Sequence, residues 1–295
     1  MTGAEQGFLL LTSCLGDPDR KPLTVPQIRE LRNRIAGKKA DEPDREVVAE
    51  DLLRLGYRQD MAERILSLLG ERERMARYVS RAARKGCVVI TPVSSLYPQR
   101  LMNGLGGECP GCIWAKGELS LLGLPAISLV GSRELYGKNE AFSREVGKQA
   151  ALQGYVLISG NARGADRCAQ DACLEHGGKV ISIVADELDC MTKRDGMLYL
   201  SEDGFDLPFT AQRALSRNRL IHAMGEKTFV AQSSFQTGGS WSGTANNLKR
   251  NMSPVFVFDD GSLAARELIQ MGAAAVTLEE LKDIRSLQKD TFSLF

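Results

Sequence analysis

The stretch from Ala126 to Asp166 constrains the fold more than any other part of the chain. It contains an apolar run at 126–130, a helical pattern at about 139–153 and a second apolar run at 155–158. A polar, Arg-bearing turn follows each apolar run. This order predicts two parallel strands joined by a helical crossover. In an open α/β sheet both turns would lie at the carboxyl edge, where ligands bind.

The same alternation continues through most of the chain and predicts the fold class. Short Val/Ile runs bounded by Gly or polar turns indicate buried parallel strands with helical crossovers. We therefore predict an α/β fold with a Rossmann-like, doubly wound, mostly parallel sheet. The predicted strands are 87–91, 126–131, 155–159, 179–184, 227–232, 254–258 and a short one near 273–277. The predicted helices of this part are 139–153, 164–176, 211–225, 241–251 and 262–271.

Residues 1–80 have a helical period instead and predict a small N-terminal helical domain. Thr24 is the expected N-cap of one helix and Asp44 that of the next. The segment 55–70 looks like a SAM-like or helix–hairpin–helix-like module, and a structural cap on the main domain is an equal alternative. The predicted domains are 1–80 (helical), 81–277 (Rossmann-like core) and 278–295 (final helix and tail).

The composition excludes several classes of protein. The formal net charge is +1, so any nucleic-acid binding must come from a local patch. The seven cysteines are scattered and odd in number, which favours a reducing compartment over a disulfide framework. The apolar start at Phe8–Leu11 is too short for a signal peptide, and no apolar run approaches the roughly 18 residues of a membrane helix. We therefore expect a cytoplasmic protein.

Four segments predict phosphate-binding positions. The first two segments are the turns that follow the apolar runs 126–130 and 155–158. In each turn, Gly lets the backbone approach a phosphate closely, and Arg can bind the phosphate in a bidentate fork. The second turn opens directly into a helix, whose free N–H groups point at the sheet edge. The third segment is the block at 217–219, in a stretch without Asp or Glu between Asp206 and Glu226, and the fourth is the Gly- and hydroxyl-rich turn at 237–244. The candidate binding residues are Gly131, Ser132, Arg133, Ser159, Gly160, Arg163, Gly164, Asp166, Arg217, Asn218, Arg219, Gly238, Gly239, Ser240 and Thr244.

The patterns of a catalytic or metal site are missing. His176 and His222 are the only histidines, and no nucleophile–His–acid set has a recognisable spacing. Cys109 and Cys112 form a C-x-x-C without a second cysteine pair at metal-binding spacing. We expect no catalytic residues, no metal and no cofactor.

Taken in order, the motifs resemble the DNA-processing protein A family (DprA, also called Smf) over about residues 85–276. The matching segments are Tyr97-Pro98-Gln99-Arg100-Leu101, Lys116-Gly117, Val130-Gly131-Ser132-Arg133, Ser159 to Asp166, Arg217-Asn218-Arg219-Leu220-Ile221, and Gly238-Gly239-Ser240 with Thr244-Ala245. The resemblance implies a non-catalytic single-stranded DNA-binding protein that protects incoming strands. It also implies loading of the RecA recombinase during natural transformation or recombination, usually as a homodimer. Bases would stack on exposed aromatic side chains near the turns, for which Tyr136, Phe235 and Trp241 are candidates.

The chain departs from the family pattern, and two other functions stay open. Gln170 stands where the family often has His, and Thr210 follows Phe209 where the family has Pro. The turn at 238–244 also resembles that of lysine-decarboxylase-like phosphoribohydrolases, which cut nucleoside monophosphates. That chemistry needs a placed carboxylate, and none follows the turn before Asp259. A nucleotide sensor, which binds mononucleotides without cutting them, is the third possibility.

Overall fold

The computed structural model describes residues 1–36 and 46–288, so the predicted N-cap Asp44 and the tail at 289–295 lie outside the described residues. The helices before the first strand are α1 (Gly3–Thr12), α2 (Val25–Ile35), α3 (Ala49–Arg54), α4 (Gln59–Gly70) and α5 (Arg72–Arg84). Thr24 is the N-cap of α2, as predicted. Among the described residues, no helix is both long enough and apolar enough to cross a bilayer.

Strands and helices alternate through the rest of the described chain. The strands are β1 (Val88–Ile90), β2 (Ile113–Gly117), β3 (Ala126–Val130), β4 (Val156–Ser159), β5 (Lys179–Ile183), β6 (Met197–Ser201), β7 (Thr228–Val230), β8 (Val255–Phe258) and β9 (Ala274–Val276). The helices are α6 (Gln99–Leu105), α7 (Gly137–Leu152), α8 (Ala165–Glu175), α9 (Ala211–Ser216), α10 (Asn218–Met224), α11 (Gly238–Arg250) and α12 (Leu263–Gln270).

All of these strands join one sheet in the order β1-β2-β6-β5-β4-β3-β7-β8-β9. Every neighbouring pair from β6 to β9 is parallel, whereas β1–β2 and β2–β6 are antiparallel. The predicted α/β, Rossmann-like, mostly parallel sheet is confirmed. The strand order reverses between β3 and β7, because β4 and β5 extend the sheet on one side and β8 and β9 on the other. Such a reversal opens a crevice at the carboxyl ends of the strands beside it.

The sequence pattern missed two strands and several helix limits. β6 has the sequence MLYLS without a β-branched residue, and β2 has only Ile113, so neither shows the Val/Ile run that marks the other strands. β1 was predicted as parallel and is an antiparallel edge strand. The helix predicted at 211–225 is divided into α9 and α10 at Arg217, and α11 begins at Gly238 rather than at 241. Instead of a final α-helix, the described end of the chain has a 3₁₀ turn at Glu280–Asp283.

Apolar side chains fill both faces of the sheet. One core includes Leu129 and Phe142 and reaches Tyr78 of α5, whose ring lies 5.1 Å from that of Trp114, centroid to centroid. The other core packs α6, α10 and α12 on the opposite face through residues such as Leu101, Leu220 and Leu268. A third, smaller core lies among α1 to α4. Since α5 spans residue 80 and packs on the sheet, the N-terminal helices are joined to the core there.

Candidate nucleic-acid interface

A small cleft lies at the carboxyl edge of the sheet, where the fold predicts a ligand. Its volume is about 100 Å³. Segments that follow three neighbouring parallel strands line it: Arg133 after β3, Gly160 to Arg163 after β4, and Ala185 and Asp186 after β5. The remaining lining residues are Phe209, in the loop before α9, and Arg217, directly before α10. The cleft therefore brings together Arg133, Gly160, Arg163 and Arg217 of the predicted set.

The first two turns are locked against each other by backbone contacts. The N–H of Ala165 donates to the carbonyl of Ser132 at 3.1 Å. Gly164 has a φ of +76°, and a Cβ there would lie 2.4 Å from the same carbonyl oxygen. A Cβ at Gly131 would lie 2.4 Å from the Cβ of Ala165. Glycine is therefore needed at both positions, and the close approach fixes the backbones that carry the two turn arginines.

Arg133 and Arg163 are exposed at the rim of the cleft. Neither side chain has a hydrogen-bond or ion-pair partner in the part of the chain that the structure describes. Ser132, between the turn glycine and Arg133, has its hydroxyl oxygen engaged as the acceptor of the Glu134 N–H at 3.2 Å. The two guanidinium groups are free to donate at this rim, and both suit an anion; the Ser132 hydroxyl keeps its own hydrogen for donation.

Asp166 shapes the second turn from within. One carboxylate oxygen of Asp166 accepts the N–H of Gly160 at 3.0 Å and that of Ala162 at 3.2 Å. Burial raises the pKa of Asp166, while the positive charge of Arg217 and the two N–H groups act in the opposite direction. The carboxylate thus holds the turn backbone in place.

Arg217 lies at the floor of the cleft with unused donors. The residue is only 8% exposed, and its Nε and Nη1 atoms have no hydrogen-bond partner among the described residues. The guanidinium packs over Gly160, where a Cβ would lie 1.5 Å from Nη1. Burial lowers the pKa of Arg217, and the charges of Asp166 and Asp186 oppose that shift. Because buried N–H donors without partners are costly, this group is set up to receive an anion.

The other arginines near the block have different positions. The guanidinium of Arg213 donates to the carbonyls of Ala185, Leu207 and Pro208 and pairs with Asp203, which holds the loop that carries Phe209. Arg219 pairs with Glu202 and lines a separate cavity. Two positions along a helix differ by roughly 200° in direction, so Arg217 and Arg219 point to opposite sides.

The fourth predicted segment forms the first turns of α11 and contacts the first turn of the site. The Ser240 hydroxyl donates to the carbonyl of Gly131 at 2.6 Å, and the Thr244 hydroxyl donates to the carbonyl of Ser240 at 2.7 Å. Gly238 begins the helix with a φ of +79°. These hydroxyl groups bind the protein itself, so they position α11 beside β3; contact with a phosphate stays a prediction for them.

Two further predicted residues also have internal partners. The side-chain amide of Asn218 donates to the carbonyl of Gly239 at 3.1 Å, which ties α10 to α11. The fully buried Ser159 accepts a hydrogen bond from the amide of Gln170 at 2.5 Å. Both therefore support the site from outside the cleft.

The cleft residues that the predicted set did not include are Asn161, Ala162, Ala185, Asp186 and Phe209, of which Asp186 and Phe209 carry a charge or a ring suited to a ligand. Asp186 follows β5 just as Arg133 follows β3, so extending the same carboxyl-edge argument to the next strand would have found it. Phe209 is 47% exposed and lies in the loop after β6, a strand that the pattern did not reveal. Of the predicted aromatic residues, Tyr136 is 73% exposed, and Phe235 packs edge to face on Trp241 at 5.1 Å.

Within the described ranges, no group of three or more His, Cys, Asp and Glu side chains is placed to hold a metal ion. Cys109 and Cys112 of the C-x-x-C are free thiols. Burial raises the pKa of both, to about 12 for Cys112.

The amino-acid sequence of the chain is similar to those of the bacterial proteins Smf and DprA. It is 28% identical to protein Smf of Escherichia coli (strain K12) over 203 residues, and this alignment covers 63% of this chain and 53% of that protein. It is 31% identical over 185 residues to the DNA processing protein DprA of Streptococcus pneumoniae (strain ATCC BAA-255 / R6), which covers 58% of this chain and 64% of that protein. The match thus spans about half to two thirds of the length of these relatives.

Two solved structures share the fold. The X-ray structure of DprA from Streptococcus pneumoniae superimposes with a TM-score of 0.61 at 24% identity, covering 86% of this chain and 95% of that one. DNA processing protein A from Helicobacter pylori, described for its single-stranded DNA binding mode, gives a TM-score of 0.55 at 21% identity, covering 67% and 94%. The sequence model of the DNA recombination-mediator protein A family matches residues 88–288, most of the chain, and the chain therefore belongs to that family.

Proposed function

We propose that the chain binds single-stranded DNA along the carboxyl edge of its sheet and acts as a DprA-type DNA-processing protein in natural transformation or recombination. The observation that carries this proposal is the buried guanidinium of Arg217, whose Nε and Nη1 have no partner among the described residues. It lines a cleft with the exposed Arg133 and Arg163 at the rim. Phosphate oxygens are suited to accept from all of these donors.

The size of the cleft favours a strand over a small ligand. Small-molecule sites commonly measure about 300–1,000 Å³, whereas this cleft measures about 100 Å³. It therefore suits one phosphate group and does not enclose a nucleotide. Neighbouring phosphates of a strand would contact Arg133 and Arg163 outside it. The exposed ring of Phe209 at the cleft offers a base a surface for stacking.

We propose binding without cleavage. Asp166, one of the two carboxylates nearest Arg217, is occupied by the N–H groups of its own turn. The turn at 238–244, which resembles that of the phosphoribohydrolases, clamps α11 onto β3 through Ser240. Release of free base from nucleoside monophosphates by the purified protein would contradict this proposal and favour the hydrolase.

The assembly and the cellular setting are further parts of the proposal. The family description as a recombination mediator supports loading of RecA onto the bound strand. We propose a homodimer, which sedimentation equilibrium tests. All seven cysteines are free thiols, which supports a cytoplasmic location.

A double substitution at the rim tests the binding site. We expect Arg133→Ala/Arg163→Ala to weaken single-stranded DNA binding at least about tenfold, because each charge-assisted contact to phosphate contributes roughly 1.5–3 kcal/mol. Both side chains are exposed, so the thermal midpoint should not change. Arg266→Ala removes an exposed arginine from α12 and serves as the control. Unchanged affinity of the double variant in an anisotropy titration would contradict the proposed site.

A further inference from the structure

A second group of arginines lies away from the cleft, at a cavity between the N-terminal helices and the core. The cavity measures about 170 Å³ and is lined by residues of α1 and α2, by the segment 107–112 and by Arg219. The arginine cluster consists of Arg29 and Arg32 on α2, Arg219 on α10 and Arg250 on α11.

Arg29, Arg219 and Arg250 of the cluster border the segment that precedes β2, and the charge of Arg32 acts on Cys109 of the same segment. Arg250 binds Glu108 through both of its terminal nitrogens, at 2.5 and 2.8 Å. A Cβ on Gly107 would lie 3.2 Å from the Cδ of Arg29. The pKa of Glu108 is held below its usual value by Arg250 first, and the charges of Arg219 and Arg29 add to that effect. Three helices therefore deliver positive charge to one place.

The cluster has an excess of positive charge. Two carboxylates pair with its four arginines: Glu108 with Arg250, and Glu202 with Arg219. Arg29 and Arg32 are exposed and have no hydrogen-bond or ion-pair partner among the described residues. Asp203, which also lines the cavity, is paired with Arg213 outside the cluster.

Helices α9 and α10, which lie between the cleft and the cluster, contribute no carboxylate side chain. Arg217 points into the cleft and Arg219 toward the cluster, so the start of α10 separates the two positions. Gln212 and Leu215 of α9 are exposed beside it. The whole stretch 207–225 contains no Asp or Glu. A polyanion that leaves the cleft over Phe209 thus meets no carboxylate from α9 or α10.

We propose that the arginine cluster is a second phosphate-binding position for the same single strand of DNA, which makes the N-terminal helices part of the DNA-binding surface. This inference rests on the proposed function of the cleft. The walls of the cavity include Glu202 and Asp203, which repel a small anion from its interior. The charge therefore acts at the rim, where a strand can pass across Arg29 and Arg32.

The test compares strand lengths in the Arg29→Ala/Arg32→Ala variant. The probes are oligo-dT of about 6 nucleotides, within the footprint of a single small domain, and of about 30 nucleotides. We expect the short probe to bind as in the wild type and the long probe to bind about tenfold more weakly. Loss of two phosphate contacts should also make the salt dependence of the long probe less steep by about 1.4 log units per decade of salt. Arg58→Ala/Arg266→Ala removes the same charge from other exposed positions and should change neither.

The outcomes separate this inference from the function of the cleft. If Arg29→Ala/Arg32→Ala binds the long probe like the wild type while Arg217→Met binds both probes more weakly, the second position is overturned and the proposed function of the cleft is retained. If Arg58→Ala/Arg266→Ala weakens binding of the long probe as much as Arg29→Ala/Arg32→Ala does, the effect is one of general charge. If Arg29→Ala/Arg32→Ala weakens binding of the short probe as well, the effect lies at the cleft. Either result would overturn the inference. A lack of effect from Arg217→Met as well would remove the proposed function and this inference with it. If the Arg29→Ala/Arg32→Ala variant binds both DNA probes like the wild type but no longer binds an acidic peptide that the wild type binds, the cluster is a site for a protein partner instead.

Discussion

Replacement of Arg217 by Met removes the guanidinium from the floor of the cleft while keeping a long apolar side chain. In the native protein the side chain is 8% exposed, and Nε and Nη1 are without partners in the described chain. Each buried, unpaired donor costs about 1–3 kcal/mol, and the charges of Asp166 and Asp186 offset part of that cost. We therefore expect the free energy of unfolding of Arg217→Met to be within about 1 kcal/mol of the wild type or higher.

The affinity of Arg217→Met for single-stranded DNA should fall, although its stability should not. Hydrogen bonds from a charged donor contribute about 1.5–3 kcal/mol, and about 1.4 kcal/mol corresponds to a factor of ten in Kd. We expect Arg217→Met to weaken binding of a single strand by about 10- to 100-fold in an anisotropy titration. Urea unfolding of the same preparation gives the stability.

Arg213 is the matched control for this substitution, because it lies four positions earlier and its guanidinium has partners at all three nitrogens. Arg213→Met leaves three carbonyls without their donor, so we expect a loss of stability of about 2–4 kcal/mol. If Arg217→Met binds DNA like the wild type and loses more than about 2 kcal/mol of stability, Arg217 is a structural residue and not a ligand of the strand.

Three further substitutions test other parts of the account. Gly160→Ala places a Cβ 1.5 Å from Nη1 of Arg217, and displacement of the guanidinium should weaken strand binding about tenfold or more. Gly70→Ala, which has open space around it, is the control and should bind normally. Normal binding by Gly160→Ala in the same titration would argue against the guanidinium as a ligand. Phe209→Ala should lose about 1–3 kcal/mol of strand binding and Phe209→Trp should retain it, because stacking needs only an aromatic face; equal affinities would remove Phe209 from the interface. Burial lowers the pKa of His222 from 6.5 to about 3, so the unfolded chain takes up a proton below about pH 6.5 that the native protein does not. The free energy of unfolding should then fall by up to about 1.4 kcal/mol per pH unit between these values, and urea titrations at pH 7 and 5 should show a smaller fall for His222→Gln; the same fall in both would contradict this origin.

The sequence predicted the centre of the sheet well, for a physical reason. β3, β4 and β5 are buried on both faces, so they appear as continuous apolar runs with polar or Gly-bearing turns at their ends. The positions after them follow from topology alone, which is why Arg133, Gly160 and Arg163 were found. β6 lacks β-branched residues, so the loop after it and its Phe209 were not placed.

The direction of individual side chains was not predictable in the same way. Arg217 and Arg219 are two residues apart and have the same chemistry, and the break between α9 and α10 at Arg217 decides which of them enters the cleft. The hydroxyl of Ser240 finds its acceptor at Gly131, 109 positions away in the chain. Contacts of this kind depend on how the elements pack, which a local pattern does not contain.

The central claim is that the cleft and its rim bind successive phosphates of a single strand. Binding of oligo-dT, the matching duplex and a mononucleotide, each measured over a range of salt concentrations, tests it most directly. Contacts from Arg133, Arg163 and Arg217 predict that the logarithm of the affinity for the single strand falls with a slope of at least about 2 against the logarithm of salt. The duplex and the mononucleotide should bind much more weakly. A mononucleotide that binds as tightly as the strand, with little dependence on salt, would contradict the account.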